Sequence, residues 1–129
     1  MDQKIIDQYG DELYQAFVER RTIAPFTERD PDISLDDAYK IQLRFIQRRL
    51  DAGETVVGKK IGVTSKAVQD FLGVFQPDFG QLTSKMVYQE GDVIALDDLI
   101  QPKAEAELAF VLKEDLKGPG ITAMDVIRA

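Results

Sequence analysis

Hydrophobic residues recur at helical spacing over residues 3–20 and predict an amphipathic helix there. The apolar positions that repeat every three or four residues are Ile5, Ile6, Tyr9, Leu13, Ala16 and Phe17. Gly10 lies inside this pattern and costs a helix about 1 kcal/mol relative to Ala. We therefore expect one face of this helix to pack against another part of the chain.

A second amphipathic helix is predicted to start at Ser34 and end near Asp51. Ser34 and Asp37 form a capping-box pattern, which marks a helix N-terminus. Gly53 follows the last turn, where it can adopt the left-handed conformation of a C-cap. The apolar residues of this helix repeat at helical spacing and are Tyr39, Leu43, Ile46 and Leu50.

From Thr55 onward the pattern changes to short β-branched runs separated by Gly and Pro, which is typical of strands. The predicted strands cover residues 55–61, 86–88, 92–96 and 104–112. A short helix is predicted over residues 65–72, and another should begin at a Thr122 cap.

This order predicts an α+β fold in which a helical N-terminal segment, residues 1–52, leads into a β-rich body, residues 53–129. The last helical pattern reaches Ala129 without a C-cap signal, so we expect a truncated chain.

The composition narrows the possible chemistry. A chain of 129 residues with 44% hydrophobic and 30% charged residues suits one globular core. The net charge of -7 disfavours nucleic acid as a partner. Neither a membrane-spanning run nor a signal-peptide pattern occurs, so we expect a cytoplasmic protein. Because the chain has no His and no Cys, catalysis must use Lys, Asp, Glu, Tyr or Ser.

Lys60 lies between two glycines on one face of the first predicted strand. Side chains alternate along a strand, so Gly58, Lys60 and Gly62 share a face. Glycine within a strand often marks the close approach of a ligand, and Lys60 would then reach into a pocket. A solvated lysine on an edge strand explains the same pattern, and these residues alone favour it.

Glu105 and Glu107 are separated by one residue in the predicted strand 104–112. On a strand they would point to the same face with Cα atoms about 6.6 Å apart. Ala109 and Val111 on that face are apolar, and two carboxylates in such a setting are costly to desolvate unless a cation binds them. Oxygen ligands suit Mg²⁺ or Mn²⁺. A water-exposed face without metal is nevertheless favoured by the pattern alone.

Residues 76–80, Gln-Pro-Asp-Phe-Gly, have the composition of a turn, with Pro, Asp and Gly where turns favour them. The alternative is a loop that presents Asp78 as an acid/base group. Nothing in the local sequence decides between the two, although the turn is the simpler interpretation.

Three blocks, residues 58–66, 76–80 and 102–107, occur in the order and spacing of a known enzyme family. They resemble the 2-hydroxypenta-2,4-dienoate hydratases of aromatic meta-cleavage pathways, which belong to the fumarylacetoacetate hydrolase superfamily. Residues 37–42 are similar to the second-helix signature of that family, and residues 118–122 to the turn after its metal-binding strand. A match of several blocks in the same order and spacing is far more specific to one family than a match of any single block.

The resemblance implies roles for individual residues. Glu105 and Glu107 match two of three metal-binding carboxylates, and the third is expected beyond Ala129. Lys60 and Asp78 match catalytic positions of the family. Ser65 and Phe79 match its substrate-binding positions. The implied cofactor is a divalent cation, Mg²⁺ or Mn²⁺.

The resemblance also implies a reaction and partners. The enzyme would be a hydro-lyase that adds water to 2-hydroxypenta-2,4-dienoate to give 4-hydroxy-2-oxopentanoate. The related 4-oxalocrotonate decarboxylases share the two glutamates and the lysine, so decarboxylation is the second interpretation, and a non-catalytic partner subunit is the third. The implied partners are a small 2-oxo- or 2-hydroxydienoic acid, further copies of the chain in a homo-oligomer and a related decarboxylase.

Overall fold

The fold consists of a packed helix pair, a β-hairpin and two short helices. The computed structural model describes all residues, 1–129. The elements are α1 (Gln3–Val18), α2 (Leu35–Asp51), β1 (Val56–Gly62), α3 (Lys66–Leu72), β2 (Asp78–Thr83) and α4 (Ala123–Arg128). Single 3₁₀ turns occur at Phe26–Glu28, Ser84–Met86 and Leu96–Asp98. None of the helices has the length and apolar character that a membrane span requires.

Both predicted helices form, α1 packs against α2, and the small core lies between them. Ile6 and Tyr9 of α1 are buried with Ile41 of α2. A Cβ atom at Gly10 would stand 3.0 Å from the carbonyl oxygen of Ile41 and closer still to the side chain of Arg44. The glycine that weakens α1 therefore permits the close approach of the two helices.

The ends of α2 agree with their sequence signals. The Asp37 backbone N–H donates to Ser34 Oγ at 3.1 Å, and the Ser34 N–H donates to Asp37 Oδ2 at 3.3 Å. Hydrogen bonds from the Ser34 side chain and then from the N-terminal amino group hold the pKa of Asp37 below its usual range. The helix ends at Asp51, and Gly53 has the positive φ of +91° expected after a helix. The predicted capping box and C-cap are confirmed.

The short helices also begin at capping residues. Ser65 Oγ accepts from the backbone N–H of Val68 at 3.3 Å at the start of α3. Thr122 Oγ1 accepts from the backbone N–H of Asp125 at 3.3 Å at the start of α4. The predicted Thr122 cap is confirmed because a cap depends only on residues close in sequence, and α3 agrees with the short helix predicted over residues 65–72.

Strands β1 and β2 form an antiparallel hairpin in which Lys60 lies opposite Gly80 and Gly62 opposite Asp78. The first predicted strand is therefore confirmed to within one residue. The turn expected over residues 76–80 is wrong in its second half, because Asp78 begins β2. Residues 78–83 find backbone partners along β1, and that pairing overrides the local turn preference.

A buried polar cluster fixes the hairpin to the end of α2. Arg49 and Glu54 are only 2% and 6% exposed, and Thr83 is fully buried. Arg49 Nη2 lies 2.8 Å from Glu54 Oε2, and Thr83 Oγ1 donates to the same oxygen at 2.6 Å. Burial raises the pKa of Glu54, but the hydrogen bonds from Arg49 and Thr83 outweigh it and leave the pKa below its usual range. The cluster therefore joins the end of α2 to β2 and to the residue two positions before β1.

The remaining predicted strands do not form. Residues 86–88, 92–96 and 104–112 lie outside any sheet, and no backbone hydrogen bond joins residues 104–112 to another segment. Leu108, Phe110 and Val111 have exposed fractions of 90%, 79% and 97%. A strand needs a neighbouring strand to satisfy its backbone groups, and no segment lies alongside this one. The helices and the hairpin agree with the predicted α+β class, whereas the β-rich body stays a prediction.

Candidate active site

A cavity of about 270 Å³ lies between α2 and the hairpin. One wall is a face of α2 and the other is the end of the hairpin where β1 finishes and β2 begins. The lining residues are Leu35, Ala38, Tyr39 and Gln42 from α2, and Lys60, Asp78, Phe79 and Gly80 from the hairpin. The cavity therefore brings together three of the residues singled out in the sequence, Lys60, Asp78 and Phe79.

The side chain of Lys60 lies along the surface of β2. Its Cγ is 3.5 Å and its Cδ 3.8 Å from the point where a Cβ atom of Gly80 would stand. Because the residue opposite Lys60 is a glycine, the aliphatic stem can lie flat and carry the ammonium group along the strand. Lys60 is half-buried and lines the cavity, and its catalytic role stays a prediction.

Gly62 provides the space in which the two charged groups meet. A Cβ atom at Gly62 would stand 2.9 Å from Lys60 Nζ and 3.3 Å from Asp78 Cγ. The ammonium group and the carboxylate thus both approach the same vacant position above the strand. Neither group forms a salt bridge with any residue of the chain. Both therefore retain the capacity to bind a ligand.

The wall formed by α2 contributes an aromatic ring and an amide that were not predicted as parts of the site. The Tyr39 ring stacks on Phe79 with centroids 4.4 Å apart and planes 13° from parallel. Gln42 Nε2 donates to the backbone oxygen of Phe79 at 3.2 Å. These contacts fix the start of β2 against α2. The available signal was the helical spacing of Leu35, Tyr39 and Gln42, which places them on one face.

Three other candidate residues lie outside the cavity. Ser65 caps α3 with its hydroxyl group. Glu105 and Glu107 are exposed in a segment without regular structure, so the strand geometry that would have placed them on one face is absent. Their carboxylate oxygens are the type of ligand that Mg²⁺ or Mn²⁺ prefers. The chain has neither His nor Cys to serve as a nitrogen or sulfur ligand. However, no three acidic residues of the chain converge to complete a metal site.

The arrangement suits a small organic acid that exchanges protons with the protein. The hairpin supplies an ammonium group and a carboxylate, whereas α2 supplies mostly apolar surface. A concave site with a few polar groups and an apolar wall binds a short hydrocarbon chain in one orientation. Lys60 and Asp78 differ in charge, so one can donate a proton while the other accepts one.

Comparison with known sequences finds close similarity to hydratases. No protein-family model matches the chain. It is 60% identical to a 2-hydroxypent-2,4-dienoate hydratase from Pseudomonas putida, across 100% of this chain and 59% of the relative. It is 51% identical to a 2-hydroxyhexa-2,4-dienoate hydratase from Comamonas testosteroni, across 99% of this chain and 49% of the relative. The chain thus spans about half to three-fifths of the length of these relatives.

Comparison with solved structures finds the same fold in a decarboxylase. The 4-oxalocrotonate decarboxylase from Pseudomonas putida G7, complexed with magnesium and adipate, matches with a TM-score of 0.94 and 32% sequence identity. The match covers 100% of this chain and 49% of the decarboxylase. The arrangement of helices and hairpin described above is therefore also that of the corresponding half of a solved protein.

Proposed function

Because this chain belongs, over the segment that it spans, to the family of 2-hydroxypenta-2,4-dienoate hydratases, we propose that the complete enzyme hydrates 2-hydroxypenta-2,4-dienoate to 4-hydroxy-2-oxopentanoate. The observation that carries the proposal is the meeting of Lys60 and Asp78 in the space above Gly62. The names of the relatives support the substrate class. The apolar face of α2 suits the hydrocarbon part of such an acid.

Two proton transfers and one addition of water complete the reaction. The 2-hydroxyl group of the dienoate loses its proton and C5 gains one, which gives 2-oxopent-3-enoate. The oxygen of a water molecule then forms a bond to C4, and C3 takes up a proton. Asp78 would accept the proton of the attacking water. The Lys60 ammonium group would donate a hydrogen bond to the oxygen on which negative charge develops, or pass a proton to carbon.

Glu105 and Glu107 would hold the divalent cation, Mg²⁺ or Mn²⁺. When bound, such an ion acts as a Lewis acid toward the carboxylate and the 2-oxygen of the substrate. The family resemblance puts a third carboxylate beyond Ala129, and the magnesium complex of the related decarboxylase supports a divalent ion. Lys60 and Asp78 would carry out the proton transfers, and Phe79 would contact the substrate. Ser65, which caps α3, would act on the substrate only through a rearrangement of that cap.

The resemblance also supports proposals about assembly. The exposed side chains of Leu108, Phe110 and Val111 would be covered in the complete homo-oligomer, because monomers rarely expose so many large apolar side chains together. A complex with a related decarboxylase and a location in the cytoplasm belong to the same proposal. Residues 1–52 would wall the active site, and residues 53–129 would supply its charged groups.

Decarboxylation of 4-oxalocrotonate is the second candidate, favoured by the TM-score of 0.94 with a decarboxylase. The two activities differ in product. The complete enzyme should be incubated with each substrate in the presence of Mg²⁺, and the products followed by NMR and by release of carbon dioxide. Formation of 4-hydroxy-2-oxopentanoate is expected. Release of carbon dioxide from 4-oxalocrotonate without hydration of the dienoate would contradict the proposed function.

A further inference from the structure

Asp78 receives little support from its own hairpin. It is exposed, it is the first residue of β2, and it lies opposite Gly62, the last residue of β1. Because Gly62 has no side chain, the residue opposite offers nothing for the Asp78 side chain to pack against. Residues 73–77, which precede Asp78, belong to no helix or strand. The end of a strand opens readily when so few contacts hold it, so the position of Asp78 depends on the residue that follows it, Phe79.

Helix α2 holds Phe79 by its backbone and by its ring. Gln42 Nε2 donates a hydrogen bond to the Phe79 backbone oxygen at 3.2 Å, and the Tyr39 ring stacks on the Phe79 ring. Tyr39 and Gln42 are three positions apart and therefore lie on one face of α2. Consecutive Cα atoms are about 3.8 Å apart, so a Phe79 that is fixed in this way restricts the position of Asp78.

The amide group of Gln42 also lies close to the stem of Lys60. A Cβ atom at Gly80 would stand 3.9 Å from Gln42 Nε2 and 3.5 Å from Lys60 Cγ. Gln42 lines the same cavity as Lys60 and Asp78. Its hydrogen bond is therefore placed to set the position of the Asp78 backbone relative to Lys60.

Other residues hold the opposite end of the hairpin on α2. Arg49 and Thr83, the last residue of β2, both donate to Glu54 Oε2. This buried cluster does not involve Gln42. Loss of the Gln42 hydrogen bond would thus leave the hairpin docked and would free only the end that carries Asp78.

We propose that Gln42 is a positioning residue for the addition of water, which acts through Phe79 to keep the Asp78 carboxylate in place. The inference rests on the proposed function, in which Asp78 accepts the proton that water loses as its oxygen bonds to C4 and C3 takes up a proton. A displaced carboxylate slows this step. The preceding conversion of the dienol to 2-oxopent-3-enoate involves no attacking water, so it is affected less, and the unhydrated intermediate leaves the enzyme.

The two products of a Gln42→Met variant test the proposal. Methionine matches glutamine in helix propensity but cannot donate a hydrogen bond. Gln47→Met is the matched control, because Gln47 lies exposed on the same helix, donates to Asp51 at 2.9 Å and does not line the cavity. The complete enzyme with Mg²⁺ is given 2-hydroxypenta-2,4-dienoate. Initial rates of formation of 2-oxopent-3-enoate and 4-hydroxy-2-oxopentanoate are measured by NMR, and the rates without enzyme are subtracted.

In Gln42→Met, we expect the ratio of hydrated product to 2-oxopent-3-enoate to fall by about 10-fold, whereas Gln47→Met should keep the wild-type ratio. The ratio of two enzymatic rates does not depend on how much of the enzyme is folded, so a merely structural role of Gln42 would leave it unchanged. An unchanged ratio in Gln42→Met, or an equal fall in Gln47→Met, would overturn the inference.

Hydrogen exchange separates this inference from the proposed function, because it needs no substrate. The backbone amides of residues 78–80 should exchange several-fold faster in Gln42→Met than in the wild type, while those of residues 82–83 keep their rates. A wild type that hydrates no dienoate would refute the proposed function. Faster exchange confined to residues 78–80 would still support the positioning of Asp78 by Gln42, and equal exchange in both proteins would overturn it.

Discussion

Replacement of Gly62 by alanine should damage catalysis without damaging the fold. The new Cβ atom would stand 2.9 Å from Lys60 Nζ and 3.3 Å from Asp78 Cγ, closer than ordinary contacts. Both atoms lie at the ends of side chains, which can move aside with little cost to the folded state. The φ angle of Gly62 is not positive, so alanine can adopt its conformation, and a Gly→Ala change at such a position stabilises a protein by about 0.4–1 kcal/mol.

The size of the catalytic effect follows from the displacement. A misplacement of reacting groups by about 1 Å costs on the order of 10²-fold in rate, so we expect kcat/KM for hydration to fall by about 10- to 100-fold. The unfolding midpoint should stay the same or rise. The assay is steady-state hydration of the dienoate in the complete enzyme, together with thermal unfolding of the same preparation.

Gly58→Ala is the matched control, because Gly58 lies on the same face of β1. Its new Cβ atom would stand 3.7 Å from Leu82 Cδ1, an ordinary contact. This variant should retain nearly wild-type kinetics. Full activity in Gly62→Ala, or an equal loss in both variants, would refute the assignment of Lys60 and Asp78 to the reacting site.

Three further predictions concern the metal and the buried ion pair. Exhaustive chelation should abolish turnover and Mg²⁺ or Mn²⁺ should restore it, whereas full activity after chelation would exclude the metal site at Glu105 and Glu107. Glu54→Gln should lower the free energy of unfolding in urea by about 3 kcal/mol, because it leaves Arg49 buried without its charged partner. The exposed control Glu19→Gln should change the free energy of unfolding little, because a surface ion pair contributes little to stability, and equal effects would contradict the role of burial. The pKa of Glu54 is lowered in the folded state, so the ionised carboxylate stabilises the fold above the ordinary pKa of about 4.3, and this stabilisation is lost as pH falls through the lowered pKa. The free energy of unfolding of the wild type should therefore fall more steeply in acid than that of Glu54→Gln. Parallel pH profiles of the two proteins would contradict this.

Local signals predicted the helices well. The capping box of Ser34 and Asp37 and the positive φ of Gly53 involve residues within a few positions of the helix ends, so the sequence contains all the information needed. The choice of buried face on α2 was less accurate. Leu43 was predicted on the apolar face but is 53% exposed, whereas Ile41 is buried. The close approach at Gly10 decides this, since it brings α1 onto Ile41.

Strands could be predicted only where a partner exists. The alternating pattern of β1 is confirmed because β2 pairs with it, whereas residues 104–112 have an equally apolar pattern and no partner strand. A strand is stabilised by residues distant in sequence, and a pattern of side chains cannot supply them. The expected geometry of Glu105 and Glu107 depended on that strand, so it was not found.

The candidate site residues also differ in whether the information that identifies them is close in sequence or distant. The flanking glycines, which are close in sequence, allowed Lys60 to reach a pocket but did not decide its role; the family resemblance implied that role, and the structure places Lys60 at the cavity. Tyr39 and Gln42 were not identified as site residues, because their contribution depends on contacts with Phe79, which is far away along the chain. Only the pairing of β1 with β2 and the docking of the hairpin on α2 bring these residues together.

The kinetic coupling of Lys60 and Asp78 tests the central claim most directly. The measurement is kcat for hydration of 2-hydroxypenta-2,4-dienoate in a double-mutant cycle of Lys60→Ala, Asp78→Asn and the double variant, all in the complete enzyme. Each single change should lower kcat by about 10² or more. The double variant should lose little beyond the worse single variant, because residues that act as a unit are strongly non-additive. Near wild-type kinetics in Lys60→Ala, or losses that simply multiply, would contradict a shared site above Gly62.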